Sequence, residues 1–155
     1  MLSAQQLNPA LSYRYEWLIL LLARLSIAGI FWQSAQTKID GFQFDLINGV
    51  FLWGIPHIKE STFFLFEYEY ALPIISPTLA AYMATTAELL LSLALVFGVM
   101  TRVAGLMLCI MILVIEWVYP LAFITHLSWM SLTLLIAMRG AGPLSLDCWL
   151  RRYFP

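Results

Sequence analysis

Charged residues are scarce in this chain. Lys, Arg, Asp and Glu together make up 11% of its 155 residues, whereas about 25% is usual for a soluble domain. Hydrophobic residues make up 62%, and a small domain buries only about two thirds of the surface that its unfolded chain exposes. This composition excludes a soluble enzyme and a disordered chain, and it indicates an integral membrane protein.

An excess of one charge and a cluster of cysteines are lacking too. Eight Lys and Arg residues stand against nine Asp and Glu residues, a net charge of −1, which predicts no nucleic-acid partner. Cys109 and Cys148 form no Cys-x-x-Cys motif, so we expect no disulfide framework and no metal site. The sequence shows no haem, flavin, iron–sulfur or Ser-His-Asp motif. We therefore expect no intrinsic cofactor, and an accessory subunit more than an independent enzyme.

Long apolar runs are what the sequence does contain. About 20 apolar residues make a helix long enough to cross a membrane, and the runs predict spans at about residues 17–37, 77–100, 103–118 and 121–139. The last two spans come from one continuous apolar stretch. Tyr119-Pro120 divides it, because proline breaks the hydrogen-bond ladder of a helix. The alternative is one kinked helix, which would leave three spans.

The basic residues favour four spans. With four, the arginines near the span ends lie on one side of the membrane and Lys38 and Lys59 on the other, and short loops rich in Lys and Arg stay cytoplasmic. We therefore expect an all-α, four-helix membrane bundle with both termini cytoplasmic. A single domain is expected over residues 1–155, with an aromatic-rich outer segment (39–76) at the membrane interface and a cytoplasmic tail (140–155). The arginines in question are Arg14, Arg102, Arg139, Arg151 and Arg152.

Two charged residues lie at membrane depth. Counted from the outer ends of their helices, Arg24 and Glu88 differ in depth by only about 3 Å, at 1.5 Å per residue. Charges within spans normally face the bundle interior, so we predict an Arg24–Glu88 ion pair between the first and second spans. The pair is either a structural clamp or a site for a ligand or a proton.

A second polar group is expected nearer the outer surface. Glu116 precedes Pro120 by one turn and His126 follows it, so the two arms of the hairpin bring these residues to one level. Gln33, Gln36 and Lys38 end the first helix at a similar level, which predicts an outward-facing polar chamber rimmed by tryptophans. The alternatives are interfacial snorkelling of the polar residues and a belt of tryptophan anchors. The expected rim consists of Trp32, Trp117 and Trp129.

The order of these motifs resembles the DoxX family of small bacterial membrane proteins. The resemblance rests on residues 22–42 (LARLSIAGIFWQSAQTKIDGF), on Ala87-Glu88 through Thr101-Arg102, and on Gly140 to Asp147 (GAGPLSLD). It implies a four-helix protein of the bacterial cytoplasmic (inner) membrane that is found beside redox systems, with a related subunit in a thiosulfate:quinone oxidoreductase. Gln33-Ser34 stand where many members carry His-Gly. The positions that match the polar signature of the family are Arg24, Lys38, Glu88, Arg102 and Asp147.

The C-terminal motif has a simple local interpretation. Gly140 suits the residue that follows a helix, and Pro143 prevents the helix from continuing. Asp147 and Arg102 both fall at the cytoplasmic surface, where we expect Asp147 either to accept hydrogen bonds or to form an ion pair with Arg102.

Three functions remain open. The first is a membrane subunit of a redox or stress-response system that binds quinone or docks a soluble oxidoreductase. The second is a non-catalytic scaffold that assembles with another membrane subunit or with copies of itself. The third is a passage for a small solute or an ion, although no broken helix near the midplane suggests a transporter.

Overall fold

The computed structural model describes residues 9–45 and 48–153 and is mainly helical. The helices are α1 (Pro9–Lys38), α2 (Glu60–Phe64), α3 (Pro77–Phe97), α4 (Thr101–Val118), α5 (Phe123–Arg139) and α6 (Leu146–Tyr153). A π-helix (Leu65–Tyr70) continues α2, and a 3₁₀ turn (Pro120–Ala122) precedes α5. The strands are β1 (Ile39–Asp40), β2 (Gln43–Asp45), β3 (Val50–Leu52) and β4 (His57–Ile58).

Four helical stretches are long and apolar enough to cross a membrane: Tyr15–Lys38, Pro77–Phe97, Thr101–Val118 and Pro120–Arg139. The predicted fold class, an all-α membrane protein with four transmembrane helices, is confirmed. The second span ends at Phe97 instead of residue 100. Gly98 takes φ +69° there, and the Val99 N–H donates to the Ala94 carbonyl at 2.9 Å. This left-handed cap satisfies a helix-end carbonyl and stops the helix.

The four spanning helices form a ring in which each contacts two neighbours. α1 packs against α3 and α5, and α4 packs against the same two helices. Side chains from all four fill the centre, including Ile27, Phe31, Leu95, Leu108 and Ile136, each 2% exposed or less. Large apolar side chains elsewhere on these helices are exposed, as expected of a bundle that lipid surrounds.

The segment between α1 and α3 forms a nested hairpin and then a short helix. β1 pairs with β4 and β2 with β3, both antiparallel. These strands were not predicted from the sequence, since runs of two or three residues are too short to show an alternating pattern. After the hairpin, the π-helix packs on α3, where Phe66 is buried against Ala80 and Ala81. The first turns of α3 are therefore covered by protein.

Candidate functional site

Arg24 is buried and bound entirely by backbone carbonyls. It is 1% exposed, and its Nε and Nη2 donate to the carbonyls of Leu95 and Val96 at 2.9 and 3.0 Å. Its Nη1 donates to those of Ala141 and Leu144 at 2.6 and 2.8 Å. The carbonyls at the end of a helix carry partial negative charge. Arg24 therefore ties α1 to the end of α3 and to the loop between α5 and α6.

The predicted Arg24–Glu88 ion pair is wrong. Ser34, about ten residues further along α1 than Arg24, contacts Glu88, a displacement of about 15 Å at 1.5 Å per residue. The prediction assumed that the outer ends of α1 and α3 lie level. The first turns of α3 instead extend beyond α1, where Phe66 of the π-helix covers them, and the two helices are offset accordingly.

Glu88 pairs instead with Lys38, the last residue of α1. The Lys38 Nζ lies 2.9 Å from Glu88 Oε1 and 2.7 Å from Oε2. It also donates to the Ser34 Oγ at 2.7 Å, and that hydroxyl donates to Glu88 Oε1 at 3.1 Å. Lys38 is 8% exposed and Glu88 4%. Three groups from two helices thus form a compact, buried and hydrogen-bonded ion pair.

Tyr70 at the end of the π-helix lies close to this ion pair. Burial is the largest cause that raises the pKa of the Tyr70 phenol, and the negative charge of Glu88 adds to it. The Tyr70 ring also makes an edge-to-face contact with Tyr119, with centroids 6.4 Å apart. The phenol therefore stays protonated at neutral pH and is able to donate a hydrogen bond.

Glu116 and His126 meet as the hairpin count predicted. The His126 Nδ1 forms a hydrogen bond to Glu116 Oε2, and His126 is 5% exposed. The His126 ring lies 5.4 Å from that of Trp129, which also contacts Phe31 in the core. The hydrogen bond between Glu116 and His126 joins α4 to α5. A functional role for the pair stays a prediction.

The residues expected to share one polar chamber occupy different places. Lys38 lies with Glu88 inside the bundle, whereas Glu116 and His126 join α4 to α5. Trp32 and Gln33 line a groove beside α1. Trp117 is 65% exposed and faces away from the bundle. Residues at one membrane level can point in different directions around a helix, which a count of depth does not reveal.

That groove has a volume of about 1070 Å³ and runs along α1 and α3. At one end its walls are apolar, with Leu25, Gly29, Leu93, Val96 and Phe97. Towards the hairpin its lining becomes polar, with Gln33, Gln36, Gln43, Asn48 and Lys59. The gradient from apolar to polar suits an amphipathic ligand that lies parallel to the helices.

Gln36 brings an unsatisfied donor to the polar end of the groove. Its Oε1 accepts the Phe44 N–H at 2.9 Å, which determines the orientation of the amide. Its Nε2 is buried and has no hydrogen-bond partner in the part of the chain that the structure describes. A buried donor without a partner costs about 1–3 kcal/mol. Gln36 is therefore a candidate ligand-binding residue.

Asp147 accepts hydrogen bonds that cap α4, the first of the two predicted alternatives, and the ion pair with Arg102, the second, is not formed. Its Oδ1 accepts the Met100 N–H at 2.8 Å and its Oδ2 the Thr101 N–H at 2.9 Å. The first N–H groups of a helix lack partners within the helix, and they hold the carboxylate away from the guanidinium. Both Arg102 and Asp147 line a second, smaller pocket.

Ser34 was not among the predicted site residues. It precedes Lys38 by four residues, a spacing that places both on one face of a helix, so this signal was available. Gln36 was expected at the polar outer end of the first helix, but its unpartnered amide nitrogen was not, because that depends on the hairpin strand that holds its amide oxygen.

The arrangement defines a four-helix membrane protein with a buried Lys–Glu pair and an amphipathic groove. A family model for DoxX matches residues 19–126, more than two thirds of the chain. The chain belongs to the DoxX family, as its motifs suggested. The matched region includes Arg24, Lys38, Glu88 and Arg102, and it ends before the C-terminal motif. No curated protein and no solved structure matches the chain.

Proposed function

We propose that this protein is a membrane subunit of a redox system and that it binds an isoprenoid quinone in the groove along α1 and α3. The observation that carries the proposal is the unpartnered Nε2 of Gln36 at the polar end of this apolar groove. A quinone carbonyl is a neutral acceptor and would satisfy that donor. The isoprenoid tail would lie along Leu93, Val96 and Phe97.

The polar end of the groove favours a neutral head group. Its lining contains several side-chain amides, and the Lys59 Nζ faces Asp40 at 3.6 Å. Neutral amides suit carbonyl oxygens, whereas a phosphate is usually held by arginine or lysine. Reduction of the quinone takes two electrons and two protons. In this proposal the electrons come from a soluble oxidoreductase that docks on the protein.

The proposal includes a location and an orientation. More basic residues lie at the end of the bundle formed by the start of α4, the end of α5 and α6 than at the hairpin end. This difference supports a cytoplasmic position for both termini. The groove would then receive its ligand in the outer half of a bacterial inner membrane, with the polar head beside the hairpin.

The binding test uses the full chain in nanodiscs, titrated with a short-chain quinone analogue while tryptophan fluorescence is followed. Trp32 lines the groove, so a bound quinone should quench it in a saturable manner. Gly29→Phe fills the groove, and a Cβ at Gly29 meets no atom within 4 Å, so the helix tolerates the change. We expect the affinity to fall at least about tenfold, a loss of 1.4 kcal/mol.

The matched control is Ile110→Phe, which adds a ring at an exposed position on α4, away from the groove. It should bind the analogue as the wild type does. Gln36→Leu should weaken binding by about fivefold, the value of one hydrogen bond. Quenching that does not saturate in the wild type, or equal effects of Gly29→Phe and Ile110→Phe, would contradict quinone binding.

A scaffold is the second candidate, and the hairpin favours it. Phe51, Leu52, Trp53 and Ile55 are all exposed there, Trp53 at 81% and Ile55 at 87%. Such a surface suits a partner membrane subunit or a second copy of the chain. If the protein is a scaffold, Trp53→Ser with Ile55→Ser should abolish co-purification of the partner, while Gly29→Phe should leave it unchanged.

A further inference from the structure

A second pocket lies at the opposite end of the bundle from the hairpin. It has a volume of about 220 Å³ and is enclosed by the start of α4, the end of α5, the following loop and α6. Its lining contains three arginines, Arg102, Arg139 and Arg151, and one acid, Asp147. The pocket therefore has an excess of positive charge in a small concave space.

The arginines retain donors for a ligand. Arg139 uses its Nη1 to bind Glu16 at 2.7 Å, and a guanidinium has five N–H donors. Within residues 9–45 and 48–153, the side chains of Arg102 and Arg151 make no hydrogen bond or ion pair. Gly140 keeps the space beside Arg102 open, because a Cβ there would lie 3.2 Å from the Arg102 Nε.

The acid in the pocket is already engaged. Both carboxylate oxygens of Asp147 accept backbone N–H groups of Met100 and Thr101, at 2.8 and 2.9 Å. These donors and the positive end of the α4 dipole offset its charge. Asp147 thus lines the pocket without pairing with its arginines.

Helix α6 indicates where the pocket opens. Leu146, Trp149 and Leu150 are exposed, at 43%, 53% and 41%, and their spacing of three and four residues places them on one face. Arg151 and Arg152 follow on the other side of the helix. A short helix with an apolar face, a tryptophan and basic residues is typical of one that lies in the membrane interface.

We infer that this arginine pocket binds the phosphodiester group of an anionic phospholipid. Arginine binds phosphate oxygens through two parallel hydrogen bonds, and basic pockets at the membrane surface bind anionic head groups. The apolar face of α6 would lie among the acyl chains while Arg102 and Arg151 hold the phosphate. This inference is independent of the quinone proposal, because no residue lines both sites.

The test is native mass spectrometry of the full chain in neutral detergent, titrated with phosphatidylglycerol or with phosphatidylcholine. The wild type should bind phosphatidylglycerol at least about tenfold more tightly. Arg102→Gln and Arg151→Gln should each weaken that binding by about tenfold, the loss of one hydrogen bond to a charged group. Arg102→Gln alters the start of a spanning helix, so thermal unfolding confirms that each variant is folded, and Arg151→Gln on α6 provides an independent variant.

Arg152→Gln is the matched control, since it removes the same charge from the next residue, which does not line the pocket. It should change the affinity by less than about twofold. Equal losses of affinity in Arg151→Gln and Arg152→Gln would show that diffuse charge attraction, and not the pocket, binds the lipid. That result would overturn the inference. Equal affinity for the two lipids would overturn it as well. Displacement of phosphatidylglycerol by millimolar inorganic phosphate would assign the site to a soluble phosphate and overturn the lipid assignment.

Discussion

The two ends of the bundle each bury a cation, and they neutralise it in different ways. Arg24 is bound by four backbone carbonyls at the end of α3 and in the loop after α5. Lys38 is bound by the Glu88 carboxylate and the Ser34 hydroxyl. A carbonyl is part of the backbone and cannot be lost by mutation or take up a proton. The hydrogen bonds of Arg24 therefore do not depend on other side chains, whereas those of Lys38 depend on two side chains that mutation can remove.

The largest expected effect is that of Arg24→Met. It leaves four carbonyls without their donors, so we expect the free energy of unfolding to fall by at least about 3 kcal/mol. Arg24→Lys should recover only a minor part, because a single ammonium does not reproduce the planar fork of a guanidinium. Unfolding of the purified protein in mixed micelles measures both values.

Arg152→Met serves as the control, since Arg152 is exposed on α6 and its loss should cost little. If Arg24→Met unfolds within about 1 kcal/mol of the wild type, which is less than one hydrogen bond to a charged group contributes, the carbonyl contacts do not hold this end together.

The next effect concerns the Lys38–Glu88 pair. Either Lys38→Met or Glu88→Leu alone leaves a buried group without its partner and should cost about 2 kcal/mol. The double variant removes both charges and should be more stable than either single variant. A double-mutant cycle on the unfolding free energy measures this coupling. If the losses of unfolding free energy in the two single variants add up in the double variant, Lys38 and Glu88 act separately. The contrast between a side-chain pair at Lys38 and backbone contacts at Arg24 would then disappear.

The smallest effect is expected at Asp147, the acid of the Arg24 end. Asp147→Ala removes the cap of α4 and should cost about 1 kcal/mol, whereas Asp147→Asn keeps one acceptor and should cost less. The same unfolding measurement applies. A loss in Asp147→Ala as large as in Arg24→Met would mean that this carboxylate, and not the carbonyls, balances the buried guanidinium.

The contact between Glu116 and His126, across the turn that joins α4 to α5, was predictable from the sequence. The contacts between α1 and α3 were not. Glu116 and His126 flank Pro120 on consecutive helices, so the short connection leaves their relative level little freedom. Arg24 and Glu88 lie on helices separated by a segment of nearly forty residues in the predicted topology, and that segment determines the offset. Since the π-helix covers the first turns of α3, the offset depends on packing that no local pattern contains.

The four membrane-spanning helices and the resemblance to the DoxX family were evident from the amino-acid sequence alone. Each span depends on its own apolar length, because a helix satisfies its backbone hydrogen bonds internally whatever its neighbours are. The packed fold was needed to show which acid meets which base, which tryptophan faces outward, and that the Gln36 amide lies buried beside a groove. Those outcomes depend on the rotation and sliding of one helix against another, which change contacts between helices and leave the hydropathy of each helix unaltered.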